Sequence, residues 1–418
     1  MSSNNGSKLE AVQAEYFGRK AVILSNDTVR VVIEDHGGMV PEFSFRVGKG
    51  GINTHWVPDF RDNSGAPWSE DKKAYWKSPI LYGLAGDFPC MPNFGPDCTI
   101  DGVEMPSHGW TANRAWTLRA AKQTADGKAV LADFGMESPD GRIPLTFRKI
   151  DIVADGQPAY YSVMRIQNNG DKAISINVAR HNTLGGQFLQ KGCRIYLSAK
   201  HFMTAPKGTE FDDTGRLAQG VEIDCLTKVP LRAGGFTDVS VVPGMVGATD
   251  FVTGAVDKNR SLGWGCVVNP ALGLAYVTLF PGRAGLPKDE IGLCFNDLWF
   301  QYGGRDFTPW SFNEGGSDRT FCLGTENAIG AFANGLPYSR EHPELLGNPT
   351  TVEIPAHGQR TLYYGVALVK LRDDIVESPI VDFEATDGGL VVKGERRAQE
   401  VAVDGSFESI RRLAADLP

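Results

Sequence analysis

The feature that most constrains this chain is a long succession of short β-branched and aromatic runs, each closed by Gly, Pro, Asn or Asp. AVILSNDTVRVVIEDHGG and MVPEFSFRVG open the array. AWTLRAAKQ, AVLADFGM, LTFRKIDIVA, AYYSVMRIQN, AISINVARHN and CRIYLSA continue it. GWGCVVN, LGLAYVTLF, IGLCFNDLWFQY, RTFCLGTE, TVEIPA and RTLYYGVALVKL complete it. Runs of this length and composition read as strands. The 49 glycines and 24 prolines supply the turns between them. A helical pattern is convincing only in the tail SFESIRRLAADLP, where Ser406 is a candidate cap. So many strands with so little helix predict an all-β fold of large antiparallel sheets. No repeat of fixed period is present.

Three regions are expected. Residues 1–15 form a polar, poorly ordered tail. Residues 16–375 form the main β body. Residues 376–418 form a C-terminal extension, with strands around an Asp-Gly-Gly turn, packed on that body. Within the body, INTHWVPDFRDNSGAPWSEDKKAYWKSP is a long loop without periodicity, a length that usually serves a site. Its aromatics, Trp56, Trp68, Tyr75 and Trp76, argue against disorder.

Charge excludes some functions. The net charge is −8 with no basic block, so a nucleic-acid partner is not expected. No run reaches the ~18 apolar residues of a membrane-spanning helix. The N-terminus has no apolar segment of the signal-peptide kind. The seven cysteines are scattered, without CxxC spacing, as free thiols of a reducing compartment would be. A cytoplasmic monomer or homodimer is the expectation. Neither a metal nor a cofactor is expected: HxxxH, P-loop, GxGxxG and GxSxG patterns are all missing.

Three segments combine titratable residues and glycines beyond what a plain sandwich needs. The first, residues 86–116, carries His108, Trp110, Asn113 and Arg114. In the second, residues 178–188, His181 ends a strand-like run just before Gly185-Gly186. In the third, residues 319–335, Glu326 ends an apolar strand. A strand-end histidine usually packs, a strand-end glutamate is usually solvated, and an arginine beside a tryptophan often covers it. From composition and spacing these residues do not add up to a mechanism.

Taken in order, however, the motifs resemble those of the aldose 1-epimerase (galactose mutarotase) superfamily, including its hexose-6-phosphate epimerase branch. Pro89-Cys90-Met91-Pro92-Asn93-Phe94-Gly95-Pro96, then Met105-Pro106-Ser107-His108-Gly109-Trp110 and Ala115-Trp116-Thr117-Leu118, are similar to its proline-rich and HG-aromatic segments. His181-Asn182-Thr183 with Phe188 resembles its central histidine block, and Cys322-Leu323-Gly324-Thr325-Glu326 its late strand. The resemblance spans roughly residues 20–370 and implies a β-supersandwich with a sugar cleft. It implies that His181 protonates the ring oxygen and Glu326 takes the proton of the C1 hydroxyl. It also implies substrate contacts from His108 and from an arginine near the first motif, for which Arg114 is the candidate, with Asn113 beside it. Asp297 and Asp250 are candidates for a middle aspartate. Trp110 and Trp299 are candidates to stack on sugar, and Arg305 and Trp310 to border the cleft. The chain departs from the pattern at Leu184-Gly185-Gly186-Gln187, in the Trp-rich loop and in the C-terminal extension. These departures leave open an elimination or cleavage of an unusual glycoside, or sugar binding without catalysis. Arg114, Arg180 and Arg305 are the candidates to hold a phosphosugar.

Overall fold

The computed structural model describes residues 9–47 and 50–416. Two large antiparallel sheets pack face to face. The first, here the site sheet, runs in the order 222–223, 199–204, 248–256, 295–302, 321–329, 178–181 and 88–90, with 183–184 also paired to 321–329. The second runs in the order 194–197, 262–269, 274–281, 359–370, 159–168, 145–154, 129–137 and 117–123. All twelve strand-like runs from AWTLRAAKQ to RTLYYGVALVKL contribute strands. Five site-sheet strands, Phe88–Cys90, Thr183–Leu184, Ala199–Thr204, Glu222–Ile223 and Ala248–Val256, lie outside those runs, apart from Ala199 itself.

A further sheet spans residues 10–53 at the N-terminus. Its first strand, Glu10–Tyr16, pairs in register with Arg19–Ser25, so the poorly ordered tail expected over 1–15 does not hold from Glu10 on. Its seven residues find backbone partners that an isolated tail would lack. Residues 1–8 lie outside the described residues.

Strand alternation sorts side chains between two environments. Val178, Leu323, Phe300 and Tyr364 fill the core between the sheets. Ala179, Phe251, Trp299, Cys322 and Ala328 face the other way, under Trp56, Ile80, Phe211, Trp310 and Phe332 of the overlying loops. The Trp-rich loop is ordered by this cover, and Trp76 Nε1 donates to Phe60 O at 2.8 Å.

The back of the second sheet is capped by strands 380–386, 389–394 and 398–401 and by the helix Glu408–Ala415. Phe383, Leu390, Phe407 and Ile410 are buried there against Ile150, Tyr161 and Trp264. Ser406 Oγ accepts the Glu408 N–H at 3.3 Å as the helix begins. The described cysteines are unpaired. No helix among the described residues is long and apolar enough to cross a membrane.

Candidate active site

His181 and Glu326 are brought together by strand register. Pairing of Arg180 with Asn327 and of Thr183 with Gly324 sets His181 opposite Glu326. Both side chains point away from the inter-sheet core, because their neighbours Arg180 and Asn327 point into it. His181 Nε2 lies 3.2 Å from Glu326 Oε1. His181 Nδ1 is hydrogen-bonded to Thr183 Oγ1 at 3.1 Å. The imidazole stacks on Phe88, with ring centroids 4.6 Å apart and planes at 15°.

The two strands are also tied from behind. Asn182 Nδ2 donates to Tyr364 Oη at 2.7 Å, and Tyr364 Oη donates to Asn327 Oδ1 at 2.5 Å. One phenol of the second sheet therefore joins the residues that follow His181 and Glu326. Buried hydrogen bonds of this kind resist sliding of the strands.

His108 completes the cluster, its ring 5.1 Å from that of His181 and nearly perpendicular to it. It sits at φ 60°, in the left-handed region, ahead of the helix Gly109–Asn113. Gly109 follows at φ 76°, where a Cβ would meet Met91 O at 2.2 Å. Glycine is the residue that tolerates such an approach.

These groups lie in a pocket of about 360 Å³ lined also by Phe88, Phe211, Phe251, Trp299, Arg305 and Trp310. Arg305 lies over Trp310, 4.3 Å from the ring centre, and pairs with Glu210 at 3.1 Å. His108 Nδ1, Glu326 Oε2 and Trp299 Nε1 are buried without a protein hydrogen-bond partner. Buried polar atoms are normally satisfied; all three of these belong to residues that line the pocket.

Burial dominates the electrostatics. It raises Glu326 well above 4.5, with Asp297 and Glu210 adding to the rise. It lowers His181 well below 6.5, helped by His108, and lowers His108 to about 4. Burial thus disfavours the charged form of all three groups: it favours the protonated carboxyl of Glu326 and the neutral imidazoles of His181 and His108. Desolvation works against the ionised glutamate that ordinary values would give.

Of the residues singled out from sequence, His108, His181, Glu326 and Arg305 line the pocket, with Trp299 and Trp310. Four others do not. Arg114 is exposed at the end of the Gly109–Asn113 helix. Asn113 spends its amide on the carbonyls of Ser107 and Gly109, both at 2.7 Å. Trp110 is buried in the inter-sheet core. Asp297 pairs across the sheet with Glu326 but is buried and does not line the pocket, accepting from Thr253 Oγ1 at 2.8 Å. Asp250 serves a loop, accepting the N–H groups of Arg216 and Leu217. Arg180 points into the core, where it pairs with Asp87. The proposed arginine cluster thus does not form, because strand alternation and helix geometry send the three side chains to different places. Glu210 and Phe211, from the segment PKGTEFDDTG, line the pocket without a periodic or motif signal in the sequence.

Solved structures of similar shape place this architecture. The chain superposes on a putative aldose 1-epimerase from Klebsiella pneumoniae with a TM-score of 0.62 at 13% identity, over 89% of this chain and 86% of that one. The chain has the galactose mutarotase-like fold. It also matches a galactose mutarotase-like protein from Clostridium acetobutylicum at a TM-score of 0.55 and 12% identity, over 86% and 98% of the two chains. The Slr1438 protein from Synechocystis matches at 0.53 and 11%, over 88% and 99%. No family model and no curated protein matches the sequence. At these identities the likeness is one of fold.

Proposed function

We propose that the protein interconverts the anomers of an uncharged sugar, with His181 and Glu326 moving the protons. The observation that carries this is the 3.2 Å contact between two buried titratable groups in an aromatic pocket. A hemiacetal carbon bears both the ring oxygen and the C1 hydroxyl, so ring opening needs two proton-transfer groups that reach atoms on one carbon. A contact pair suits that demand.

The pair carries one transferable proton. With that proton on Glu326, Glu326 delivers it to the ring oxygen as His181 Nε2 takes the proton of the C1 hydroxyl. The C1–ring-oxygen bond breaks and the aldehyde carbonyl forms. Rotation about C1–C2 exposes the other carbonyl face, and closure runs the transfers backwards. With the proton on His181 the roles are exchanged, as the family resemblance implies. Opening and closing pass through both arrangements. His108 is placed to hydrogen-bond a sugar oxygen. Glycoside cleavage would call for two carboxyl groups flanking the bond, whereas the titratable group in contact with Glu326 is the imidazole of His181.

The charges of the pocket support a substrate without phosphate. Among the described lining residues Arg305 is the one Arg or Lys, and Glu210 already pairs with it, while Asp97, Glu210 and Glu326 are acidic. NMR exchange between anomers of glucose and of galactose is expected to accelerate with the protein. Glucose 6-phosphate is expected to exchange with kcat/KM at least about tenfold lower, since like charges brought together cost several kcal/mol. Acceleration of none of the three would sink the catalytic reading, and preference for the phosphate would sink the uncharged substrate.

The same burial predicts pH behaviour. The ring nitrogens of His108 and His181 are expected to keep neutral-imidazole NMR shifts from pH 8 down to about pH 5, because desolvation holds both below 6.5. For the same reason kcat/KM is expected to cross pH 6.5 without a bend. A midpoint near 6.5 for His181 would contradict the assignment.

A further inference from the structure

Two of the three places where this chain departs from the family pattern, the Trp-rich loop and Gly185-Gly186, meet in space. Trp56 N donates to Thr183 O at 2.9 Å and Gly185 N to Thr54 O at 3.1 Å, which lays the loop along the residues after His181. A Cβ on Gly185 would stand 2.7 Å from Trp56 Cβ and 2.8 Å from its Cδ1. Glycine there is what admits the indole. Trp56 in turn runs parallel to Trp310, with ring centroids 6.2 Å apart and planes at 7°. Phe60 stands edge-on to Trp310 at 5.3 Å.

Trp310 has two sides. It lines the pocket of His181 and Glu326, and it also lines a second cavity of about 250 Å³ together with Trp56, Phe60 and Phe312. Asp59 and Arg319 border that second cavity, exposed and without an ion-pair partner among the described residues. Phe312 is 66% exposed. An aromatic floor with a free acid and a free base at its rim matches the two faces of a pyranose: apolar C–H groups against the rings and hydroxyls against the charges. No functional role for a bare aromatic side chain at Phe312 arises from the packing of the core.

We propose that this second cavity is a subsite for an additional sugar ring, so that the preferred ligand is a reducing disaccharide. Its reducing ring occupies the pocket of His181 and Glu326, and its second ring lies beyond Trp310 against Phe60 and Phe312. The placement of the reducing end rests on the proposed anomer exchange; the subsite itself does not.

Calorimetry with maltose, cellobiose and lactose, against glucose and galactose, tests this on the full chain. At least one disaccharide is expected to bind about tenfold or more tighter than its component monosaccharides. Phe312→Ala is expected to weaken that disaccharide about fivefold, the scale of one aromatic contact, with monosaccharide affinity held within about twofold. Phe312 is exposed, so the fold survives its truncation. Equal affinity for one-ring and two-ring sugars, an equal loss for both in Phe312→Ala, or no binding of any of the five overturns the subsite. NMR anomer exchange, followed in the same samples, separates the two proposals. Tighter disaccharide binding sensitive to Phe312 but with no exchange sustains the subsite and overturns the catalytic reading.

Discussion

Glu326→Gln and His181→Ala are each expected to lower kcat for anomer exchange by about 10²–10⁴-fold, the usual worth of a positioned acid–base group. The glutamine amide keeps the volume and much of the hydrogen-bonding capacity of Glu326 but has no proton to exchange near neutral pH. His181→Ala removes the partner 3.2 Å away and leaves Phe88 without its stacked ring. Because the two residues pass one proton between them, the double variant is expected to lose little more than the worse single one. The measurement is NMR line exchange between the anomers, with thermal unfolding run alongside. Retention of wild-type exchange in both folded variants would remove the pair from the mechanism.

Asp297→Asn carries the largest expected effect on stability. Asp297 is 1% exposed, and burial lifts it from 3.8 to about 7 against the lowering effect of the Thr253 hydrogen bond. The sign follows from linkage. Below pH 3.8 both folded and unfolded states hold the proton, and there is no penalty. Between 3.8 and 7 the unfolded chain releases it while the folded protein keeps it, so stability falls as pH rises. Above 7 the full cost of a buried carboxylate is present, roughly 4 kcal/mol at ~1.4 kcal/mol per pH unit. Asparagine still accepts from Thr253 and carries no charge. Asp297→Asn is therefore expected to match the wild type near pH 4 and to exceed it in stability above pH 7, by up to that amount. Urea unfolding at pH 4, 6 and 8 reads this directly. A variant less stable than the wild type at pH 8 would show that the carboxylate has a stabilising partner in the folded state.

Much of the site was legible because its signals are local. Val178, Ala179, Arg180 and His181 alternate, and so do Leu323, Gly324, Thr325 and Glu326, so a strand reading of each segment already sends its side chains to alternate faces. The strands Ala199–Thr204 and Ala248–Val256 are less visible, because Lys200 and His201 interrupt the first and Asp250 and Gly254 the second. Arg114 misled because it is close to His108 in sequence, yet it follows the last residue of a helix whose turn carries it to solvent. Arg305 lies far along the chain and arrives at the pocket through a loop.

The sequence by itself determined most of the strand segments, that helices are few, and that His108, His181 and Glu326 stand in family order. These follow from periodicity and turn chemistry, which act over a few residues. Only the tertiary structure decided that His181 and Glu326 touch, since that contact depends on register between strands well over a hundred residues apart. It alone decided that Arg305 and Glu210 border the pocket while Arg114, Asn113, Trp110 and Asp297 do not. It also decided the direction in which the proton affinities of the pair shift, because desolvation is a property of everything packed around a group and not of the residue's own identity.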